Sequence, residues 1–435
     1  MSATNQLWTN AELVPSQTGL LEHMMDWRNI DKAARHVIRN NGSPGIDRMT
    51  VKELPAWLQR NFTQLQTAVL TGVYRPAAVK PKEIEKFGGG KRQLGIPTVI
   101  DRMLQQALHQ ILNPFFEPFF SEHSYGYRPG RSTHQALLAA RDYQRAGKRY
   151  VVDVDLSKFF DRVSHDVLIA LIKQKVTDRR IWRLVDLYLK SGIMMEGVLI
   201  PREEGTPQGS PLSPLLSNII LNELDLELER RGHSFCRYAD DFSIYVRSLK
   251  SGERVLKSIT TFIERQLKLK VNQDKSAVDK GYRRLFLGYG FTSEIQTRLR
   301  VPKERILRFR KKMKEEFRRG RGRHMERFIR ENLNPKIRGW ANYYKLAETI
   351  NFVKALDKWI RRRLRLIKWR QWKRPRTRFK QIRKAGFSRE QAKMAAYNNR
   401  GCWWNSGYDY VKLSLPNKLF ARMGLISIEA VIARR

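Results

Sequence analysis

Apolar positions along the chain follow two different periods. Leu21, Met24, Met25, Ile30, Ala33, Ala34, Val37 and Ile38 recur at helical spacing and predict one helix from Leu20 to Asn40, stopped by Asn41-Gly42. Met103, Leu104, Ala107, Leu108 and Ile111 line one face of a second helix from Asp101 to Leu112, with His109 between them in a structural role. Helical spacing returns over Thr133–Tyr143, 165–192, Pro214–Leu228 and Ile259–Leu267. Three stretches break it. Lys80 to Pro97 reads as a strand, a glycine tip and a second strand. Val151-Val152-Asp153-Val154-Asp155 is β-branched and delivers an acid at its end, ahead of Phe159-Phe160. Ser234–Arg237 and Phe242–Val246 flank Tyr238-Ala239-Asp240-Asp241, which places two adjacent carboxylates in a hairpin turn.

Those carboxylates are the first candidate chemistry. Neighbouring side chains on an extended segment point to opposite faces, so only a tight turn brings Asp240 and Asp241 toward one point. For an isolated Asp-Asp pair the plain reading is a solvated turn. The acid-tipped strand upstream changes that balance. Three carboxylates on neighbouring strand ends repel one another and raise their own pKa values unless cations fill the gap. Two Mg²⁺ ions about 3.5–4 Å apart supply that charge in phosphoryl transfer, and Mg²⁺ favours carboxylate and phosphate oxygens.

Composition narrows the partner. Eighty-four Lys and Arg against 42 Asp and Glu leave +42, which implies a polyanion. After residue 300 there are 39 Lys and Arg against 10 Asp and Glu, so +29 of the charge lies in the last third. Between Arg361 and Lys380 stand 11 Lys and Arg and no acid, with Trp369, Trp372 and Phe379 among them. Such a cluster repels itself unless phosphates neutralise it, and Arg361, Arg362, Arg363, Arg365, Lys373, Arg374, Arg376 and Arg378 are the RNA- or DNA-contact candidates. No apolar run approaches the ~20 residues of a membrane-spanning helix, and no membrane partner is expected. Cys236 and Cys402 give neither zinc spacing nor a disulfide framework. With no leader-like start, a reducing cytoplasm is expected.

The motifs resemble a known family. Asp155-Leu156-Ser157-Lys158-Phe159-Phe160, Gly205-Thr206-Pro207-Gln208-Gly209-Ser210-Pro211-Leu212-Ser213-Pro214-Leu215-Leu216-Ser217-Asn218 and Tyr238-Ala239-Asp240-Asp241 resemble motifs A, B and C of bacterial group II intron reverse transcriptases, or maturases, in order. The resemblance covers about residues 20–425. It implies an α+β right-hand polymerase: an N-terminal extension over 1–50, fingers over 51–150, a palm over 151–295 with finger elements interleaved near 165–215, a thumb or X domain over 300–370, and a basic nucleic-acid-binding region over 371–435. It implies RNA-templated DNA synthesis with two Mg²⁺ ions on Asp155, Asp240 and Asp241 and the Leu156 carbonyl; Asp153 is the wrong member of its pair by this alignment.

By the same resemblance Lys86 and Arg92 meet the incoming triphosphate, with Lys91 as competitor. Phe160 excludes ribonucleotides, Gln208 and Gly209 approach the nucleotide, and Lys275 donates a proton to pyrophosphate or is an ordinary surface lysine. Arg128 and Arg131, in Tyr125-Gly126-Tyr127-Arg128-Pro129-Gly130-Arg131, are template-contact candidates. Lys336-Ile337-Arg338-Gly339-Trp340-Ala341-Asn342-Tyr343-Tyr344 resembles the thumb, with Trp340, Tyr343 and Tyr344 on one helix face and in its core. The implied partners are the parent intron RNA, an RNA template, a DNA primer or target, and dNTPs. The chain resembles compact group IIC-like members that lack an HNH endonuclease with paired cysteines, so target cleavage is not expected of it. Two alternatives stay open: a non-enzymatic RNA-folding maturase, and a free-standing enzyme in DNA repair or phage defence.

Overall fold

The computed structural model describes residues 19–85, 91–195, 198–200, 204–206 and 209–433, and Lys86 and Gln208 lie outside them. The chain divides into two compact units after Lys280. The first is built on a four-stranded sheet in the order Ser234–Tyr238, Asp241–Val246, Tyr150–Val154, Ala277–Lys280, with every neighbouring pair antiparallel. Its period-2 apolar residues Val152, Val154, Phe242 and Ile244 are fully buried, as alternation on a covered sheet requires. The helix Leu249–Arg265, started by a Ser248 cap on the Ser251 N–H, lies against three of these strands. Gly252 permits the contact. A Cβ there would come 2.4 Å from Val278 Cγ1.

The sheet's other helices and the fingers share one apolar core. The single helix expected over 20–40 is two, Leu20–Met24 and Trp27–Asn40. Asp26 interrupts it, accepting the Arg28 N–H at 2.8 Å and starting a new first turn. The same device divides 165–192 into His165–Lys173 and Arg179–Lys190, where Asp178 accepts the Arg180 N–H. The helix expected from Asp101 to Leu112 runs Val99–Phe116 behind a Thr98 cap. Lys80–Glu85 and Lys91–Ile96 form the expected hairpin.

Beneath the sheet's edge lies the unit's most enclosed charge pair. Arg237, on the first hairpin strand, and Asp225, on the helix Ser213–Arg230, are both fully buried. The Arg237 guanidinium donates through Nε and Nη2 to Asp225 at 2.8 and 2.5 Å, and through Nη1 to Asn218 Oδ1 and the Ala239 carbonyl.

The second unit begins with a three-stranded sheet, Leu299–Arg300, Tyr289–Phe291 and Leu285–Phe286, and continues as helices around a separate core running from Phe309 to Ile432. Tyr343 and Tyr289 exchange hydroxyl bonds with the carbonyls of Leu287 and Tyr343, so the aromatic face of the helix Asn334–Tyr343 is used in contacts within the unit. Phe309 stacks on Trp340 at 4.6 Å. Asp357 receives the Ser427 hydroxyl and the Ile428 N–H, which docks the C-terminal helix Ile428–Ala433. Among the described residues no helix is long and apolar enough to cross a membrane.

Removing one partner of a buried ion pair leaves an uncompensated charge, a loss of ~3–5 kcal/mol. Asp225→Ala is therefore expected to lower the unfolding free energy, read from urea denaturation, by that much. Arg230→Ala, which breaks the exposed pair with Glu227, is expected to change it by ~1 kcal/mol or less.

Candidate active site

The hairpin and the central strand bring the acids together. Tyr238 pairs with Asp241, so Ala239-Asp240 is a two-residue turn, and Ala239 takes φ 59°, a left-handed value costly for a residue with a Cβ. The surroundings hold it there. Arg237 donates to the Ala239 carbonyl, and the segment Ser124-Tyr125 runs parallel beside the strand, with the Tyr125 N–H on the Arg237 carbonyl at 2.8 Å. Gly126 is required by this approach, since a Cβ there would lie 2.2 Å from the Ala239 nitrogen. Its carbonyl accepts Asn218 Nδ2, the residue that also accepts Arg237.

On the neighbouring strand, Val154 is the last pair, opposite Phe242. One further step of that register sets Asp155 across from Asp241, where directly opposed Cβ atoms are about 4.5–5.5 Å apart. Asp155 is fixed by its backbone: its N–H donates to Ser276 Oγ at 3.0 Å and its carbonyl accepts the Asn272 N–H at 2.8 Å. Lys275, from the same loop, brings its ammonium to 3.7 Å from Asp155 Oδ2. Leu156 is buried and bridges Val271.

The charge balance is strongly negative. The surrounding protein first, and then Asp240, Asp153 and Asp155, push the Asp241 carboxyl up to about 6. Asp241 keeps accessible surface, so this crowding is that of an exposed turn rather than a core. Asp153 belongs to the acidic field although the alignment passed over it; two residues from Asp155 on one strand, it shares that acid's face, a signal legible from alternation alone. The donor set suits a hard divalent cation in kind. Among the described residues no three ligands are drawn into a preassembled cage.

The first unit also holds a cleft of about 600 Å³ bordered by Phe160, Gly209, Tyr127, Arg102, His36 and His109. Phe160 is 9% exposed and packs edge-on against Phe159 at 5.2 Å. His109, read as structural, borders this cleft as well, and burial holds its pKa down. Arg92 sits opposite Ile84 in the finger hairpin, while its side chain lies outside the described residues. Lys91 is paired with Glu83 at 2.6 Å.

The arginines expected at nucleic acid differ in their surroundings. Arg128 is buried, with Nε on Glu117 at 2.8 Å and Nη1 on the carbonyls of Ser121 and Ser124, so it braces its own loop. Arg131 pairs with Glu122 and lies over Tyr125. In the second unit, Arg365 is buried and binds the Leu415 carbonyl and Asn417 Oδ1, again a structural tie. Arg362 lies over Trp403 at 4.0 Å and Arg378 over Trp369 at 4.7 Å. Lys373, Arg374 and Arg376 are exposed, and Arg361 and Arg363 half-buried.

Comparison with known proteins divides the chain similarly. Residues 84–291 match the family described as reverse transcriptase (RNA-dependent DNA polymerase), and residues 306–386 the group II intron, maturase-specific domain. The chain is 32% identical over 301 residues to protein YkfC of Escherichia coli K12, covering 59% of this chain and 78% of YkfC. It is 37% identical over 155 residues to the group II intron-encoded protein LtrA of Lactococcus lactis, covering 35% of this chain and 26% of LtrA.

A carboxyl raised in the folded state costs stability above its unfolded pKa of roughly 3.9, and the full cost is felt once pH exceeds about 6. Asp241→Asn is thus expected to raise the melting temperature of metal-free protein at neutral pH, with the gain vanishing below roughly pH 4. A melting series in EDTA across that range checks it.

Proposed function

The chain belongs to the group II intron-encoded reverse transcriptase and maturase family, and from that premise we propose that the first unit copies RNA into DNA at Asp155, Asp240 and Asp241 while the second binds intron RNA. The observation that carries this is the concentration of acid: Asp240, Asp153 and Asp155 all act on Asp241, which closes the hairpin turn beside the end of the central strand. In the reaction the primer 3′-hydroxyl attacks the α-phosphate of a dNTP in line, one oxygen–phosphorus bond forms, and pyrophosphate leaves.

Two Mg²⁺ ions, when bound, neutralise charge on the attacking and leaving oxygens. The three aspartates and the Leu156 carbonyl would hold them. Their mutual repulsion, expressed at Asp241, favours cation binding. The chain's other groups position the substrate. Phe160 forms a low wall of the cleft beneath the nucleotide's sugar, so a 2′-hydroxyl meets a ring edge. Gly209 borders the same cleft, and by the family resemblance Gln208 would meet the nucleotide while Lys86 and Arg92 would meet its triphosphate as point charge and fork. Lys275 partly compensates Asp155 and is poised to give a proton to departing pyrophosphate.

Splicing assistance and insertion by target-primed synthesis follow from the maturase domain as part of the same proposal. The partners are the intron RNA, an RNA template, a DNA primer and dNTPs.

Primer extension on an RNA template with Mg²⁺ tests the first unit. Asp240→Ala is expected to lose about 10³-fold in rate, several kcal/mol of charge stabilisation. Wild-type protein that binds RNA but extends no primer would sink the polymerase reading. Phe160→Ala is expected to incorporate ribonucleotides about tenfold better relative to deoxynucleotides, read from competition assays; unchanged discrimination would remove Phe160 from the gate.

A further inference from the structure

The second unit contains a cavity that no step of DNA synthesis uses. It has a volume of about 210 Å³ and opens between the helices Lys303–Arg319 and Asn351–Gln371 and the turn after the first. Its floor is apolar, formed by the buried Phe317, Leu366 and Ile367. Its walls carry Lys314, Arg318, Arg321, Arg363 and Arg370. The walls are tied together by Gln371 Nε2, which donates to the Arg321 and Arg323 carbonyls at 3.3 and 3.1 Å.

The buried carboxylate of the first helix, Glu316, is taken by Arg319 and Lys336. Among the described residues none of the five cavity cations forms an ion pair. Arg363 is the most constrained. Its Nε is buried with no hydrogen-bond partner, and its guanidinium lies over Trp403 at 4.5 Å and Trp359 at 5.4 Å. Burial first, and then Arg310, Arg318, Arg362 and Arg370, lower its pKa. Lys314, Arg318, Arg321 and Arg370 keep exposed surface, yet with the half-buried Arg363 all five border one apolar floor, and the buried Nε of Arg363 lacks an acceptor. An anion relieves both conditions, and a guanidinium fixed by aromatic rings presents a ready fork to phosphate oxygens.

We propose that this cavity binds phosphate, and that its occupant is one backbone phosphate of RNA with the attached sugar against Phe317, Leu366 and Ile367. The size suits a small group, below the ~300 Å³ at which drug-sized sites begin. A free phosphoanion shares the chemistry. RNA is favoured because the cavity lies within the residues that match the maturase-specific domain, and to that extent the inference rests on the RNA-binding reading of this unit.

The test uses the full chain, a fluorescein-labelled RNA hairpin with a single-stranded flank, and inorganic phosphate. Arg318→Gln with Arg370→Gln is compared with Arg389→Gln with Lys393→Gln, a pair of exposed cations outside the cavity, each removing two charges. The cavity pair is expected to weaken RNA binding about tenfold more than the outside pair and to flatten the log–log salt dependence by about 1–2 units. Equal weakening by both pairs would overturn the pocket in favour of a diffuse field. Stabilisation of the wild type by inorganic phosphate, lost in the cavity pair, with RNA binding equal in both pairs, would overturn RNA as the occupant. If the cavity pair unfolds, Arg321→Gln against Arg389→Gln repeats the comparison from the turn. Wild-type primer extension is measured alongside: its absence with the cavity effect intact removes the polymerase reading alone, and its presence without that effect removes the pocket alone.

Discussion

The first unit depends on one buried ion pair. Arg237 and Asp225 have no solvent access, and a charge so placed is tolerable only when its partner and hydrogen bonds are complete. They nearly are: the guanidinium reaches Asp225, Asn218 and the Ala239 carbonyl together. The helix that follows motif B, the first strand of the acidic hairpin and the turn itself are thus joined through a single side chain. Ala239 can hold its left-handed backbone because this clamp and the close passage of Gly126 leave the turn few alternatives.

That rigidity is what an acidic site demands. Asp240 and Asp241 are held in a field that includes Asp153 and Asp155, and the ammonium of Lys275 stands 3.7 Å from Asp155. A flexible turn would swing the carboxylates apart. The clamp stabilises the structural scaffold while the acids above it remain under electrostatic tension, so stability and chemistry are carried by different layers of the same hairpin.

Much of this arrangement was legible in the sequence. Alternation gave the central strand and the hairpin, and the motif order gave the family. Helix breaks were missed at Asp26 and Asp178 because apolar spacing continues through them, and only the capping bonds reveal the restart. The inward bonds of Arg128 and Arg365 were hidden for a related reason. An arginine in a basic, glycine-rich or helical stretch looks available until its neighbours' carbonyls are seen to use it. The Arg237–Asp225 pair was not legible at all, since nothing in local pattern joins a helix residue to a strand residue twelve positions later.

The core of the second unit has a consequence for inheritance. Similarity to the maturase-specific domain stops at residue 386, whereas the apolar core continues to Ile432 and is sealed by Asp357, Arg365 and Asn334 reaching into the final segments. The stretch that resembles relatives and the stretch that folds are therefore different lengths. A lineage cannot exchange its last fifty residues as a loose cassette; it must exchange them with compatible partners on the preceding helices, so divergence in the tail is expected to proceed by paired changes across this seam.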